Sequence, residues 1–265
     1  MAGYSIVEIM VVLAISGLLL VSAITLFGPQ RHATEFNQAI QDLSSEISTR
    51  VKEVNSSLFR DVEQYTCKVK GNPPRAKLSV KSQGQGTNPD CLVLGKAFEV
   101  IPDSSDMYIY TVLGNRQTYN ASGQPIGLPT SISETNPEPA LDFTADLTQH
   151  YSIPGAKIIS SKVQYPTQNQ TTSQSFLVGY YNDLGGNVQL TTRGYNYPMP
   201  ASDHKADLAQ VKSCIEEQGN CQKPLQISMW EMCVQDYSGT REAFLDIINS
   251  AQGISTNLKF QKCSS

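Results

Sequence analysis

The feature that most constrains this chain is an apolar run near its N-terminus, from Ile9 to Phe27. It contains no charged residue, and its only soft interruptions are Ser16, Gly17, Ser22 and Thr25. A helix rises about 1.5 Å per residue, so the run would extend roughly 28 Å, about the thickness of the hydrocarbon core of a bilayer. The run therefore predicts one membrane-spanning helix.

Two other interpretations explain the run less well. A buried helix of a soluble domain seldom stays apolar on every side over this length. A secretory signal peptide would have a basic N-terminal region, a shorter apolar stretch and a small-residue cleavage site. Here Met1, Ala2 and Gly3 supply no basic residue, and residues 27–30 form a poor cleavage site.

Glu8 is the anomaly of this segment, because a carboxylate at the edge of an apolar span costs a few kcal/mol on insertion scales. No Lys, Arg or His occurs from Met1 to Gln30, so we expect no counter-charge from the same helix. A neighbouring copy packed alongside would supply one through its α-amino group. The alternative is that Glu8 lies at the headgroup level and is paired with water.

Residues 3–8, Gly-Tyr-Ser-Ile-Val-Glu, stand directly before the apolar run. This arrangement resembles the processing signal of type IV pilins and pseudopilins. The resemblance implies that a prepilin peptidase cuts between Gly3 and Tyr4 and that Tyr4 becomes N-methylated. It also implies that Glu8 neutralises the N-terminal amine of an adjacent subunit. The chain departs from the family in having Tyr4 where phenylalanine is usual and in having no basic residue in its leader.

Three further residues of the helix are candidates for flexibility. Gly17 stands where many helices of this family carry a glycine. Gly28 and Pro29 follow the apolar run, and a glycine with a proline loosens or kinks a helix. This proline lies further along the chain than the usual one in the family.

After Pro29 the pattern predicts that the helix resumes. Apolar residues recur three or four positions apart, which is typical of one stripe along a helix, at Phe36, Ile40, Leu43, Ile47, Val51, Val54 and Leu58. The spacing is also heptad-like, so a coiled-coil stalk is the alternative. We favour a half-buried helix, because the stripe lasts only about three heptads.

The rest of the chain reads as short β-rich runs between turn signals, which favours antiparallel sheet. The run Arg241–Ile248 fits either a strand or a helix, and we favour a strand.

We predict an α+β fold: a long N-terminal helix, half transmembrane and half amphipathic, packed on an antiparallel β-sheet head in the pilin-like manner, with an extra β-rich C-terminal region. The expected parts are a leader peptide (1–3), a transmembrane or assembly helix (4–28), an amphipathic helix (29–66), a first β-meander (67–127), a linker or long loop (128–140) and a C-terminal β-rich part (141–265).

All six cysteines follow the apolar run. An even number of cysteines with few histidines favours disulfides over a metal cluster, and export would place them in an oxidising compartment. Six cysteines allow fifteen pairings, of which proximity in sequence favours Cys67 with Cys91, Cys214 with Cys221, and Cys233 with Cys263. A zinc site is the competing idea, but the chain has no C-x-x-C pair and its histidines, His32, His150 and His204, are scattered.

No catalytic motif is found, so we expect neither an enzyme nor a cofactor or metal site. The triplet Asp203, His204 and Asp207 is more typical of a capped helix start than of a ligand set. Trp230 and Tyr237, with methionines nearby, are expected in the core. The net charge of −4 gives no support to nucleic-acid binding.

The resemblance, which covers about a quarter of the chain, implies a structural subunit of a type IV pilus-like filament: a pilin or minor pilin, single-pass in the membrane before assembly and on the cell surface afterwards. It implies as partners other pilin subunits, a prepilin peptidase, the membrane and an inner-membrane assembly platform. Cell adhesion is one role that such a filament would have. A pseudopilin of a type II secretion or DNA-uptake machine is the runner-up, and a single-pass anchored binding domain or enzyme is a further alternative.

Overall fold

The computed structural model describes most of the chain between Ser5 and Cys263. The described residues are 5–56, 65–80, 90–141, 148–166, 172–182, 184, 190–195, 197, 204–219, 221, 224–250 and 253–263, and the side chains of 23–30 are not among them. Gly3, Tyr4, Leu58 and Asp203 lie outside the described residues, as do the side chains of His204 and Asp207.

The described chain begins with one helix, α1 (Ile6–Ser56). Its second half, residues 31–56, carries the apolar stripe at intervals of three and four residues, which brings the side chains onto one face. Beside the stripe, Arg50 Nε lies 2.7 Å from Glu46 Oε1, and Arg50 Nη1 lies 3.0 Å from Glu53 Oε1. Six stripe side chains are at most 2% exposed: Phe36, Ile40, Leu43, Ile47, Val51 and Val54.

The larger of two main sheets has seven strands, all paired antiparallel. They are β3 (Cys91–Val100), β4 (Asp106–Asn115), β7 (Glu138–Pro139), β8 (Thr148–Ser152), β11 (Leu177–Asn182), β12 (Leu190–Gly194) and β13 (Leu225–Gln226). The order is β13-β12-β11-β3-β4-β7, with β8 on another stretch of β4. At the centre β3 and β11 approach so closely that a Cβ on Gly95 would overlap the Tyr180 carbonyl. The sheet thus joins segments that are far apart in the sequence.

The second main sheet has five antiparallel strands in the order β10-β9-β14-β15-β16. They are β9 (Ala156–Gln164), β10 (Thr172–Gln174), β14 (Met229–Asp236), β15 (Glu242–Ser250) and β16 (Gly253–Lys259). The strand interpretation of the Arg241–Ile248 run is confirmed, because nearly all of it lies in β15.

Smaller elements complete the head, which is the part of the chain after residue 64. One two-stranded sheet joins β1 (Tyr65–Lys70) to β2 (Arg75–Val80), and another joins β5 (Thr118–Tyr119) to β6 (Pro125–Gly127). A second helix, α2 (His204–Ile215), packs against β7. Within the segment 128–140 the structure has a 3₁₀ turn, Ser133–Thr135, in addition to β7.

Aromatic side chains connect the two main sheets. The rings of Phe98 on β3 and Tyr180 on β11 lie 5.8 and 6.4 Å from the ring of Trp230 on β14. Trp230 Nε1 donates to Ser161 Oγ at 2.8 Å, so its polar atom is satisfied inside the core. Tyr237, by contrast, is 64% exposed, so the expectation that it lies in the core is wrong.

One hydrophobic core contains residues of α1 and of both main sheets. The second half of α1 contacts β3 and β11 of one sheet and β15 and β16 of the other. The helix therefore contributes one stripe to a core whose other sides are two facing sheets.

The predicted fold class is wrong in its proportions. The structure is 45% strand and 28% helix, so the protein is mainly β rather than a long helix packed on a small head. The physical reason is that two antiparallel sheets bury each other's apolar faces, and α1 adds only one face to them.

The prediction of a membrane-spanning helix is also wrong, and with it the single-pass localisation and the membrane terms of the functional interpretation. Among the residues that the structure describes, no helix is both long enough and apolar enough to cross a bilayer.

Candidate assembly surface

The first helical turn is closed by a reciprocal pair of hydrogen bonds. The backbone N–H of Glu8 donates to Ser5 Oγ, and the backbone N–H of Ser5 donates to Glu8 Oε2, both at 3.3 Å. This is a capping box, in which Ser5 caps the helix and Glu8 occupies the third position. Our expectation looked only for a counter-charge, whereas the same helix gives the Glu8 carboxylate a backbone partner. The motif Ser-x-x-Glu was visible in the sequence and could have predicted it.

The exposed half of α1, residues 5–22, carries a large apolar surface. Its large apolar side chains are 51–77% exposed: Ile6, Val7, Ile9, Met10, Val11, Val12, Leu13, Ile15, Leu18, Leu19, Leu20 and Val21. Because they follow one another around the whole helix, no single face is apolar and no face is consistently polar. Covering this surface therefore needs neighbours on several sides.

Gly17 lies in the middle of this surface. A Cβ placed there would meet no atom within 4 Å, so nothing inside this chain requires a glycine at that position. α1 also runs through Gly28 and Pro29 as one helix. The three residues proposed for flexibility therefore all lie within α1.

A charged group marks the point where α1 meets the head. Arg31 Nε lies 2.7 Å from Glu35 Oε1, and His32 Nδ1 lies 3.5 Å from Glu35 Oε2. The hydrogen bond from Arg31 is the main reason that the pKa of Glu35 falls below its ordinary value. These side chains are 51–80% exposed, so we expect the group to add little to stability.

Beside this group lies a cleft of about 800 Å³, which we call the junction cleft. Its lining comes from α1, from the turn between β14 and β15, and from Gly155 between β8 and β9. The lining residues are His32, Glu35, Phe36, Gly155, Asp236, Tyr237, Ser238, Thr240 and Arg241.

The predicted disulfide pairs occur in the structure. Cys67–Cys91, Cys214–Cys221 and Cys233–Cys263 have Cα–Cα distances of 5.9, 4.7 and 6.0 Å, within the usual range for disulfides. In the described part of the chain, three potential metal donors meet at Cys233, Glu242 and Cys263. Cys233 and Cys263 are bonded to each other as a disulfide, so this group holds the C-terminal segment in place.

The head also contains a polar pair that resembles part of a catalytic triad. His150 Nε2 lies 2.8 Å from Asp106 Oδ1, and the His150 ring stacks on Tyr108 at 4.9 Å. Ser104 Oγ donates to Asp106 Oδ2 at 2.9 Å. A Ser-His-Asp triad needs its serine on the histidine, whereas this serine binds the carboxylate. The pair is therefore interpreted as a structural contact between β4 and β8.

A second polar group joins α2 to the sheet. Lys212 Nζ lies 2.5 Å from Glu138 Oε1 and 3.2 Å from Glu216 Oε1, and Arg75 lies within 3.9 Å of both carboxylates. Burial opposes ionisation of Glu138, but hydrogen bonds from the Glu216 carboxyl group and from Lys212 outweigh it and lower its pKa. Burial and the neighbouring Glu138 raise the pKa of Glu216, so Glu216 holds its proton more readily than Glu138 does. The two carboxyl groups and the two basic side chains satisfy one another, which fits a structural role.

No family model matches this chain, and no curated protein or solved structure is significantly similar to it.

Proposed function

We propose that this chain is a structural subunit of a type IV pilus-like filament, a pilin or minor pilin, held together by the exposed half of α1. The observation that supports this most strongly is the contrast along α1. The twelve large apolar side chains from Ile6 to Val21 are exposed, whereas the stripe from Phe36 to Val54 is buried in the protein's own core. The first half is therefore the part of the helix available to other molecules.

Exposed apolar area on this scale favours association. Soluble proteins rarely leave an extended apolar patch uncovered, because each buried Å² of apolar surface is worth about 25 cal/mol. A helix that is apolar all round is fully covered only when it is surrounded. A bundle of the same helix from several copies meets that condition with no other component, which supports a homotypic filament core.

Glu8 has two roles in this proposal. In the free subunit it caps the helix through Ser5. In the filament it also pairs with the N-terminal amine of an adjacent subunit, at Tyr4 after removal of the leader. Such a pair would neutralise a carboxylate that assembly takes out of water.

Two variants of Glu8 separate these roles. Glu8→Gln removes the charge but keeps an oxygen that accepts the Ser5 N–H, whereas Glu8→Leu removes both. We expect both variants to fold with an unchanged melting temperature of the head, and both to enter filaments poorly. Wild-type incorporation of Glu8→Gln together with failure of Glu8→Leu would show that only the cap matters, and the pairing role would be wrong.

Processing is tested by intact mass and N-terminal sequencing of the protein from its native host. We expect the chain to begin at a methylated Tyr4, cut after Gly3 by a prepilin peptidase. An uncut leader in cells with an active peptidase would contradict the proposal. Imaging of the same preparation shows whether the processed chain forms filaments.

A further inference from the structure

The hairpin formed by β1, β2 and the turn between them concentrates positive charge. Residues 65–80 include four basic residues and no acidic one, whereas the whole chain has a net charge of −4. We call this element the basic hairpin. Its charge is therefore opposite in sign to that of the chain as a whole.

One face of the basic hairpin is fixed to the head. A disulfide joins Cys67 to Cys91 on β3. Cys67 and Ala76 are buried in a small cluster with Cys91 and Leu113, and Val69 packs against that cluster. Because successive side chains of a strand point to opposite faces, the hairpin presents its other face in a fixed orientation.

This other face carries three exposed lysines. Lys68 on β1 lies directly opposite Lys77 on β2, and Lys70 follows Lys68 on the same side of β1. Opposite residues have Cβ atoms about 5 Å apart, and alternate residues of a strand are about 7 Å apart. Within the described ranges of the chain, none of the three ammonium groups has an ion-pair partner.

Arg75 does not belong to this group of lysines. It stands opposite Lys70 in the strand register, but it is buried and donates to the Pro137 carbonyl at 2.8 Å. Its charge faces the carboxyl groups of Glu138 and Glu216. The exposed cations of the basic hairpin are therefore all lysines.

The opposed pair of Lys68 and Lys77 does not help the hairpin to fold. Like charges directly opposite each other on neighbouring strands are destabilising. An acidic or uncharged residue at either position would remove that cost. An external group of negative charge explains the pair better than the fold does.

The chemistry of this face favours one class of polyanion. Small ligands bind in concave pockets, whereas these lysines lie on an open face, where a chain of repeated negative groups meets all three at once. Arginine forks and stacking aromatic rings are the usual means of binding phosphates and bases. The exposed side chains described in the hairpin include neither. Carboxylates repeated along a sugar chain require only point charges such as these.

We propose that the basic hairpin is a docking surface for an acidic polysaccharide, a polymer of uronic acid residues, which contacts Lys68, Lys70 and Lys77. This inference goes beyond the proposed function and does not depend on filament assembly. The attraction acts between exposed charges, so salt screens it. The Debye length falls from about 30 Å at 0.01 M ionic strength to about 8 Å at 0.15 M.

The test measures binding of fluorescent polygalacturonate oligosaccharides to the full chain in neutral detergent, by fluorescence anisotropy at both ionic strengths. The main variant is Lys77→Glu, which reverses one charge of the face and gives Lys68 a partner across the strands. We expect its affinity at low salt to fall by about tenfold, with a melting temperature equal to or above that of wild type. Unchanged affinity would overturn the proposal. A lower melting temperature would overturn it too, because Lys77 would then support the fold.

A pair of double variants separates the hairpin from the net charge. Lys68→Gln with Lys70→Gln removes two charges from the hairpin, and Lys52→Gln with Lys262→Gln removes two exposed charges elsewhere. We expect a loss of about tenfold in the first and wild-type binding in the second. Equal losses, or wild-type binding that does not weaken with salt, would contradict the proposal. Tighter binding of duplex DNA than of polygalacturonate at equal charge concentration, or equal binding of neutral dextran, would show that the partner is wrong.

Discussion

Leu18→Gln measures what the exposed half of α1 contributes to assembly. Leu18 is 70% exposed. Full burial of a leucine side chain is worth about 1.5–3 kcal/mol, so covering the exposed part is worth about 1–2 kcal/mol. Since about 1.4 kcal/mol corresponds to a tenfold change in an equilibrium constant, we expect the critical concentration for assembly to rise roughly five- to thirtyfold. Glutamine keeps helix propensity close to that of leucine, so the helix itself should persist.

The assay is sedimentation of assembled protein over a concentration series, with electron microscopy of the pellet. Leu128→Gln is the matched control, because Leu128 is similarly exposed, at 74%, but lies in the head. We expect no change in its critical concentration and no change in the melting temperature of either variant. An unchanged critical concentration for Leu18→Gln, or an equal loss in the control, would refute the reasoning.

The remaining predictions concern stability. Replacing Cys233 and Cys263 by serine removes a disulfide whose cysteines are 30 residues apart. Chain entropy predicts that the free energy of unfolding, measured in urea, falls by about 3.6 kcal/mol, and a fall below about 1 kcal/mol would contradict this. Leu43→Ala empties a fully buried position and should cost about 2–5 kcal/mol by the same assay, so a neutral result would place α1 outside the core. Burial raises the pKa of Asp106, but hydrogen bonds from His150 and Ser104 outweigh it and lower the pKa overall. The ionised Asp106 therefore stabilises the fold above its unfolded pKa of about 3.9, and this stabilisation is lost as the pH falls through the folded pKa. We expect the difference in unfolding free energy between wild type and Asp106→Asn to shrink from pH 5 to pH 3. A constant difference would count against a stabilising Asp106–His150 pair.

Local features of the head could be predicted from sequence. Residues in β3, β4 and β9 form short β-branched and aromatic runs between turn signals, and such runs specify strands within a few residues. The spacing of Phe36, Ile40 and Leu43 specifies one buried face of a helix in the same way. The disulfide pairs also follow from proximity along the chain.

Long-range pairing could not be predicted. β3 pairs with β4, its neighbour in sequence, but also with β11, which begins at Leu177. The local sequence of neither strand identifies the other as its partner, because antiparallel pairing depends on contacts between side chains that only the complete fold brings together. The proportion of sheet to helix was therefore underestimated.

Near the N-terminus the sequence carries a local signal that a search for counter-charges does not use. Ser5 stands three residues before Glu8 in capping-box spacing, and the structure gives the Glu8 carboxylate a backbone partner there. The pairing of Glu8 with a neighbouring amine stays a prediction. For Tyr237, neighbouring methionines suggested a core position, whereas the tight turn between β14 and β15 directs it outward.

The most direct test of the account is a structure of the isolated fibre at side-chain detail. The account predicts that the exposed halves of α1 from several copies pack around the fibre axis, with Leu13 and Leu18 buried between them. A fibre in which these helices lie at the surface, or in which those side chains stay in contact with water, would contradict it.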